Sequence, residues 1–166
     1  MEENPYMPPH ANLIDKEEKT IELASRGKRF LAVIIDGLIG MAAVLPIMYF
    51  TGYFEGFPDN QNITFQHTAL LALVGLGFFI LIHGKWLVTY GQTVGKRVLG
   101  IKITDLEGNV PTIGRHLVPR YAFTTLIVYI PLIGNILSLI DSLSIFRSNR
   151  RCIHDYIGKT MVINQS

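Results

Sequence analysis

Phe30–Phe50, FLAVIIDGLIGMAAVLPIMYF, is a run of 21 residues whose single charge is Asp36. At a rise of about 1.5 Å per residue, a helix of this length covers the roughly 30 Å hydrocarbon core of a bilayer. Pro46 stands near its far end, where a kink is tolerated. Arg26, Lys28 and Arg29 crowd its near end. An apolar helix of bilayer length with a basic flank is the signature of an integral membrane segment, and the rest of the chain is read outward from it.

Two more apolar stretches follow. Ala69–Val88, ALLALVGLGFFILIHGKWLV, is uninterrupted until His83 and Lys85, and Tyr121–Phe146, YAFTTLIVYIPLIGNILSLIDSLSIF, runs for 26 residues broken at Pro131 and Gly134. The whole chain of 166 residues is 49% hydrophobic and 17% charged, with a mean hydropathy of +0.31. A soluble domain carries about 25% charged residues. The deficit excludes a disordered chain, a nucleic-acid-binding domain and an ordinary cytosolic enzyme. The length fits a single domain, expected over residues 22–164 behind a solvated cytoplasmic tail over 1–21. The polar start, with six acidic residues in Met1–Lys28, is unlike a cleaved signal peptide. Cys152, the single cysteine, implies no intramolecular disulfide.

Basic residues orient the segments. All 15 lie outside Phe30–His83, and the loop Thr51–His67 carries Glu55 and Asp59 instead. The N-terminus and Gly91–Arg120 are therefore expected on the cytoplasmic side, with the first loop external. Trp86 and Tyr90 form the inner aromatic belt, and Tyr49, Phe50, Tyr53 and Phe54 the outer one. The third stretch has Arg120 before it and Arg147, Arg150 and Arg151 after it. Its two pieces, about 15–18 Å long as helices, are each too short to span. A re-entrant or helical hairpin with both ends cytoplasmic satisfies the charges. Val98–Thr104 and Thr160–Ile163 are short β-prone runs that form a small cytoplasmic β element. The expected fold class is thus an all-α integral membrane protein: two transmembrane helices, a broken third segment and that β element.

Arg29 and Asp36 are seven positions apart, about 700° of helical rotation and so about 20° from one face. Val33 is expected between them and Gly40 beyond. Asp36 lies about 10 Å inside the inner boundary, where an aspartate costs about 2.5–3.5 kcal/mol and must face protein or water. Asp141 lies at a similar depth, about 9 Å inside on the hairpin reading. Two carboxylates at one level can share a proton or hold a small cation. Arg29, Asp36 and Asp141 are therefore the ion- or proton-site candidates. His83, near neutral titration, is a proton-relay candidate. His154 and Asp155 read as a hydrogen-bonded cytoplasmic network. With one thiol and no histidine three to five positions from His154, a zinc site is not indicated.

Three ordered blocks carry a family resemblance. They are Lys28-Arg29-Phe-Leu-Ala-Val-Ile-Ile-Asp36, Gly91-Gln-Thr-Val-Gly95-Lys96-Arg-Val-Leu-Gly-Ile-Lys-Ile103, and Arg150-Arg-Cys-Ile-His154-Asp155-Tyr-Ile-Gly-Lys-Thr160. Together they resemble the bacterial RDD family, named for one arginine and two aspartates. The resemblance implies a small multi-pass protein of the bacterial inner (cytoplasmic) membrane. It makes Arg29 and Asp36 the first two name residues and Asp155 the third by its His-Asp context, although Asp141 is the better-placed intramembrane acid. Gly91, Gly95, Lys96 and His154 belong to the same motifs. Where family chains commonly carry alanine-glycine, this one has Gly158-Lys159.

The resemblance also implies transport, with sodium/proton antiport as one form. On that reading a monovalent cation and protons are the cargo, Asp36 and Asp141 alternate as carriers, and Arg29 is their charge partner. A chain this small is expected to form a homo-oligomer to build a pathway. The alternative is a non-transporting scaffold or assembly factor acting through its cytoplasmic segments. No nucleophile–base pair stands out, so an enzyme is the weakest reading. The lipid bilayer is the expected partner, and no cofactor or nucleic acid is implied.

Overall fold

The computed structural model describes residues 21–55, 65–127, 130 and 133–165. Most of the proposed tail, the middle of the first loop, and Pro131 within the break of the third stretch lie outside them. The described chain is mostly helical.

Helix α1 (Arg26–Phe50) starts at Ser25, whose hydroxyl accepts from the Lys28 amide, and runs on past Pro46. Helix α2 spans Phe65–Tyr90. Each is long enough to cross a bilayer, and of their most apolar windows only 6% and 11% is buried within the protein. The core helix of a soluble protein would be mostly covered. Phe30, Leu31, Leu38, Met41, Leu73, Ile80 and Leu81 are instead open to the surroundings, as lipid-facing side chains are. One narrow face of α1 is packed: Arg29 and Ala32 are buried and Asp36 is half-buried. Val33, expected on that stripe, is 63% exposed, and Ala32 takes its place. The face turns toward position 32 because α3 lies on that side.

Helix α3 (Val94–Val98) follows α2 after a sharp reversal. Gly91 makes that reversal at φ +68°, where a Cβ would drive into the Ile103 carbonyl. The Gly91 carbonyl accepts from Ile103 N–H, and Gln92 Nε2 donates to Ile101 O. Strand β1 (Ile101–Asp105) pairs antiparallel with β2 (Thr160–Asn164), Ile101 opposite Asn164 and Asp105 opposite Thr160. The β-prone reading placed the first strand's start at Val98. In the structure Val98 ends α3, because Thr93 caps a helical turn and Gly100, at φ +63°, reverses the chain before the strand. Residues 22–24 line the other side of β2 through Ala24 N–H to Val162 O and Asn164 N–H to Glu22 O. Ala24, Ala32, Leu87, Ile101, Ile103, Leu117 and Val162 form the buried core where this sheet meets one end of α1 and α2.

The third stretch is two short helices, α4 (Val118–Ile127) behind a π-helical turn over Ile113–Leu117, and α5 (Gly134–Leu143) continued by a 3-10 turn over Ser144–Phe146. Helix α6 (Ile153–Ile157) closes the fold before β2.

Candidate functional site

Asp36 meets the start of α3. Its Oδ1 accepts Gly95 N–H at 2.7 Å and its Oδ2 accepts the Thr93 hydroxyl at 2.5 Å. Thr93 can hold this position because its Oγ1 also caps α3, accepting from Lys96 N–H. Lys96 Nζ reaches Thr93 Oγ1 at 3.3 Å and stands 3.8 Å from Asp36 Oδ2. Gly95 has no alternative here, since a Cβ would strike the Ala32 carbonyl and the Asp36 carboxylate. His83 Nδ1 lies 3.9 Å from Asp36 but accepts Val94 N–H at 3.2 Å. A ring nitrogen that accepts carries no proton, so this is a neutral contact with the hydrogen on Nε2.

Arg29, one turn short of Ala32 on the same face, goes elsewhere. Its Nη2 donates to Asp155 Oδ2 at 2.6 Å and its Nη1 to the Arg150 carbonyl at 2.5 Å. Arg120 closes on the other oxygen, Asp155 Oδ1, and also donates to Thr160 Oγ1 at 2.8 Å. Cys152 N–H donates to Asp155 Oδ2, closing the first turn of α6. Asp155 is completely buried. Burial alone would raise its pKa. Arg120 and then Arg29 overcome that and hold the carboxyl well below the usual carboxylate range.

Asp141 has a third set of partners. Its carboxylate accepts His154 N–H at 2.9 Å and lies 2.6 Å from His154 Nδ1. Burial, then the charge of Arg120, lower the His154 pKa despite Asp141, so the ring is neutral near pH 7. Asp36 and Asp141 share no hydrogen-bond partner among the described residues, and Arg29 is paired with Asp155, not Asp36. Helical arithmetic puts Arg29 and Asp36 on one face, but two turns separate them by about 10 Å. Different elements reach each.

Lys96 stands between the first two groups. It is buried, and its pKa falls to about 8 through burial and the nearby Arg120, against the pull of Asp36. Three buried cations, Arg29, Lys96 and Arg120, thus face the two carboxylates Asp36 and Asp155. Sequence reading treated Arg120 only as a topogenic charge and passed over Thr93. The threonine carried a readable signal, a capping hydroxyl ahead of a helical turn. The arginine carried none, since its partner is 35 positions away.

Cys152, His154 and Asp155 offer ligand-type atoms within 4.8 Å of one another. They suit a cation poorly. Both Asp155 oxygens are taken by guanidiniums, and burial pushes the Cys152 thiol up to about 11, far from the thiolate a metal needs.

No solved structure matches this chain. A Haemophilus influenzae protein described only as uncharacterized is 30% identical over 146 residues, covering 84% of this chain and 77% of its own length. The family model for the RDD family matches residues 23–159, which contain Arg29, Asp36 and Asp155 with all their partners except Thr160. With its two apolar helices of spanning length, the chain is a membrane protein that belongs to the RDD family.

Proposed function

We propose that the protein exchanges a monovalent cation for protons across the bacterial inner membrane, with Asp36 and Thr93 as the cation ligands and Lys96 as the proton carrier. The observation that carries this reading is the contact of a buried lysine with a carboxylate inside a membrane helix, the lysine releasing its proton near pH 8. Asp36 Oδ2 and Thr93 Oγ1 are hard oxygen donors suited to a small cation. While Lys96 is charged, its ammonium competes for both. Loss of its proton leaves two carboxylates against two arginines, and a cation entering at Asp36 restores the earlier charge. One proton leaves for each cation bound, so the buried cluster carries the same net charge in its protonated and its cation-bound states. Asp141, held by His154, supports the fold of the third segment and has no part in the exchange. A homo-oligomer supplies the remainder of the pathway.

In this reading the N-terminus, residues 91–120 and the C-terminus are cytoplasmic, and the loop Thr51–His67 is external. The third segment is re-entrant. Arg120 at the start of α4 and Asp141 near the end of α5 bind the adjacent residues Asp155 and His154 of α6, which supports a hairpin with both ends on one side.

Proteoliposomes holding the purified chain test the proposal. A pH gradient should drive sodium, lithium or potassium flux that rises through about pH 8, and Lys96→Arg should abolish that rise. Asp36→Asn should stop flux while the protein stays inserted. Asparagine keeps one oxygen for Thr93 or Gly95 but turns an N–H toward the other donor, so some stability is lost as well, about 1–3 kcal/mol. Undiminished flux in Asp36→Asn would refute the exchange.

The scaffold reading draws on one observation: both Asp36 oxygens are already satisfied by the chain's own donors. It expects no flux in any variant, and loss of partner binding in Asp155→Asn.

A further inference from the structure

Several of the arginines that orient this protein are spent on its own backbone. Arg26 donates to the carbonyls of Ile145, Phe146 and Arg147, Arg150 to Leu23 O, and Arg151 to Thr160 O and Asp155 O. Arg97 is different. Its guanidinium carbon lies 3.6 Å from the centre of the Trp86 ring and 5.5 Å from that of Tyr90, both in the last turns of α2. Arg97 is exposed, and among the described residues it has no carboxylate partner and no side-chain hydrogen bond. Lys85, next to Trp86 and also exposed, is likewise without an ion pair there. Val88, Tyr90 and Val98 around them are 44%, 52% and 67% exposed.

A guanidinium resting on an indole is held through the ring's negative face. Its N–H groups lie at the edge, so this stack leaves them facing outward. They form a planar fork that matches two oxygens of a phosphate. Tryptophan and tyrosine at the end of a membrane helix sit at headgroup depth. We infer that Arg97, held by Trp86 and Tyr90 and assisted by Lys85, binds the phosphate of an anionic phospholipid. Two cations without a carboxylate favour a headgroup with net negative charge over a zwitterionic one, whose own ammonium would be repelled.

Trp86 is the single tryptophan of the chain, so its fluorescence reports this place alone. The full-length protein is reconstituted in phosphatidylcholine vesicles containing a minor fraction of brominated phosphatidylglycerol or, in parallel, of brominated phosphatidylcholine. The anionic quencher should act more strongly at equal fraction, and added inorganic phosphate should not relieve it. Arg97→Gln should cut the preference about fivefold, the effect of one surface cation on an anionic lipid. Arg115→Gln, also an exposed arginine, should leave it intact. Equal quenching by the two lipids in the unaltered protein would overturn the inference, whatever the variants do. Relief by free phosphate would assign the site to a soluble anion. An equal loss in Arg115→Gln would reduce the effect to general surface potential.

Discussion

Arg29 and Asp155 are 126 positions apart, yet their side chains meet at 2.6 Å in the buried joint between the first membrane helix and α6. The first and the last of the three sequence blocks are therefore joined by one ion pair. Asp36 fastens α3 to the same helix two turns further on.

Removing either partner strands a buried charge, at a cost of about 3–5 kcal/mol. Arg29→Ala and Asp155→Asn should sharply lower the temperature at which the detergent-solubilised protein loses its monodisperse peak. Lys28→Ala, at an exposed position holding one bond to Asn164, should stay within about 0.5 kcal/mol of the parent. Similar midpoints for Arg29→Ala and Lys28→Ala would show that the pair contributes little.

Gly95→Ala should push α3 off α1, since the new methyl meets backbone. Overpacking of this kind costs about 1–3 kcal/mol. Gly40→Ala, where nothing lies within 4 Å, should be tolerated. The ratio of folded to total protein in membranes compares them directly.

Acidification should destabilise the fold in two steps. His154 is held below its ordinary value, so the unfolded chain binds the proton first and stability declines as pH drops below about 6.5. Asp155 is held well below the carboxylate range, so its contribution is complete above about pH 4 and is lost on further acidification. Melting midpoints across pH should show both, and His154→Asn should reduce the upper step.

Lys96 has the opposite side of the pH scale. Its pKa falls to about 8 in the fold, so between there and the ordinary lysine value of about 10.4 the unfolded chain holds more protons. Stability from this group should increase with pH across that window. Lys96→Met should erase the increase. An unchanged alkaline profile in Lys96→Met would assign the effect to other groups.

The amino-acid sequence by itself determined the features that depend on neighbours along the chain. Phe30–Phe50 and Ala69–Val88 are apolar over a bilayer's thickness, and that property is local. So is the division of the third stretch into two short helices, and so are the caps and glycine turns that bound α3. Helical periodicity also showed that Arg29 and Asp36 share a face. It could not show what that face meets. Which side chain answers which carboxylate was decided by tertiary structure. Arg120 comes to Asp155, His154 to Asp141 and Lys96 to Asp36 only after α3, α4, α5 and α6 have folded back onto the end of α1. Charges attract without regard to sequence separation, and acids and bases gathered within one short region allow many pairings of similar strength. Packing selects among them. A missing Cβ at Gly95 brings Asp36 against α3, and the full burial of Asp155 leaves its carboxylate to the groups packed on it, Arg29, Arg120 and the Cys152 amide.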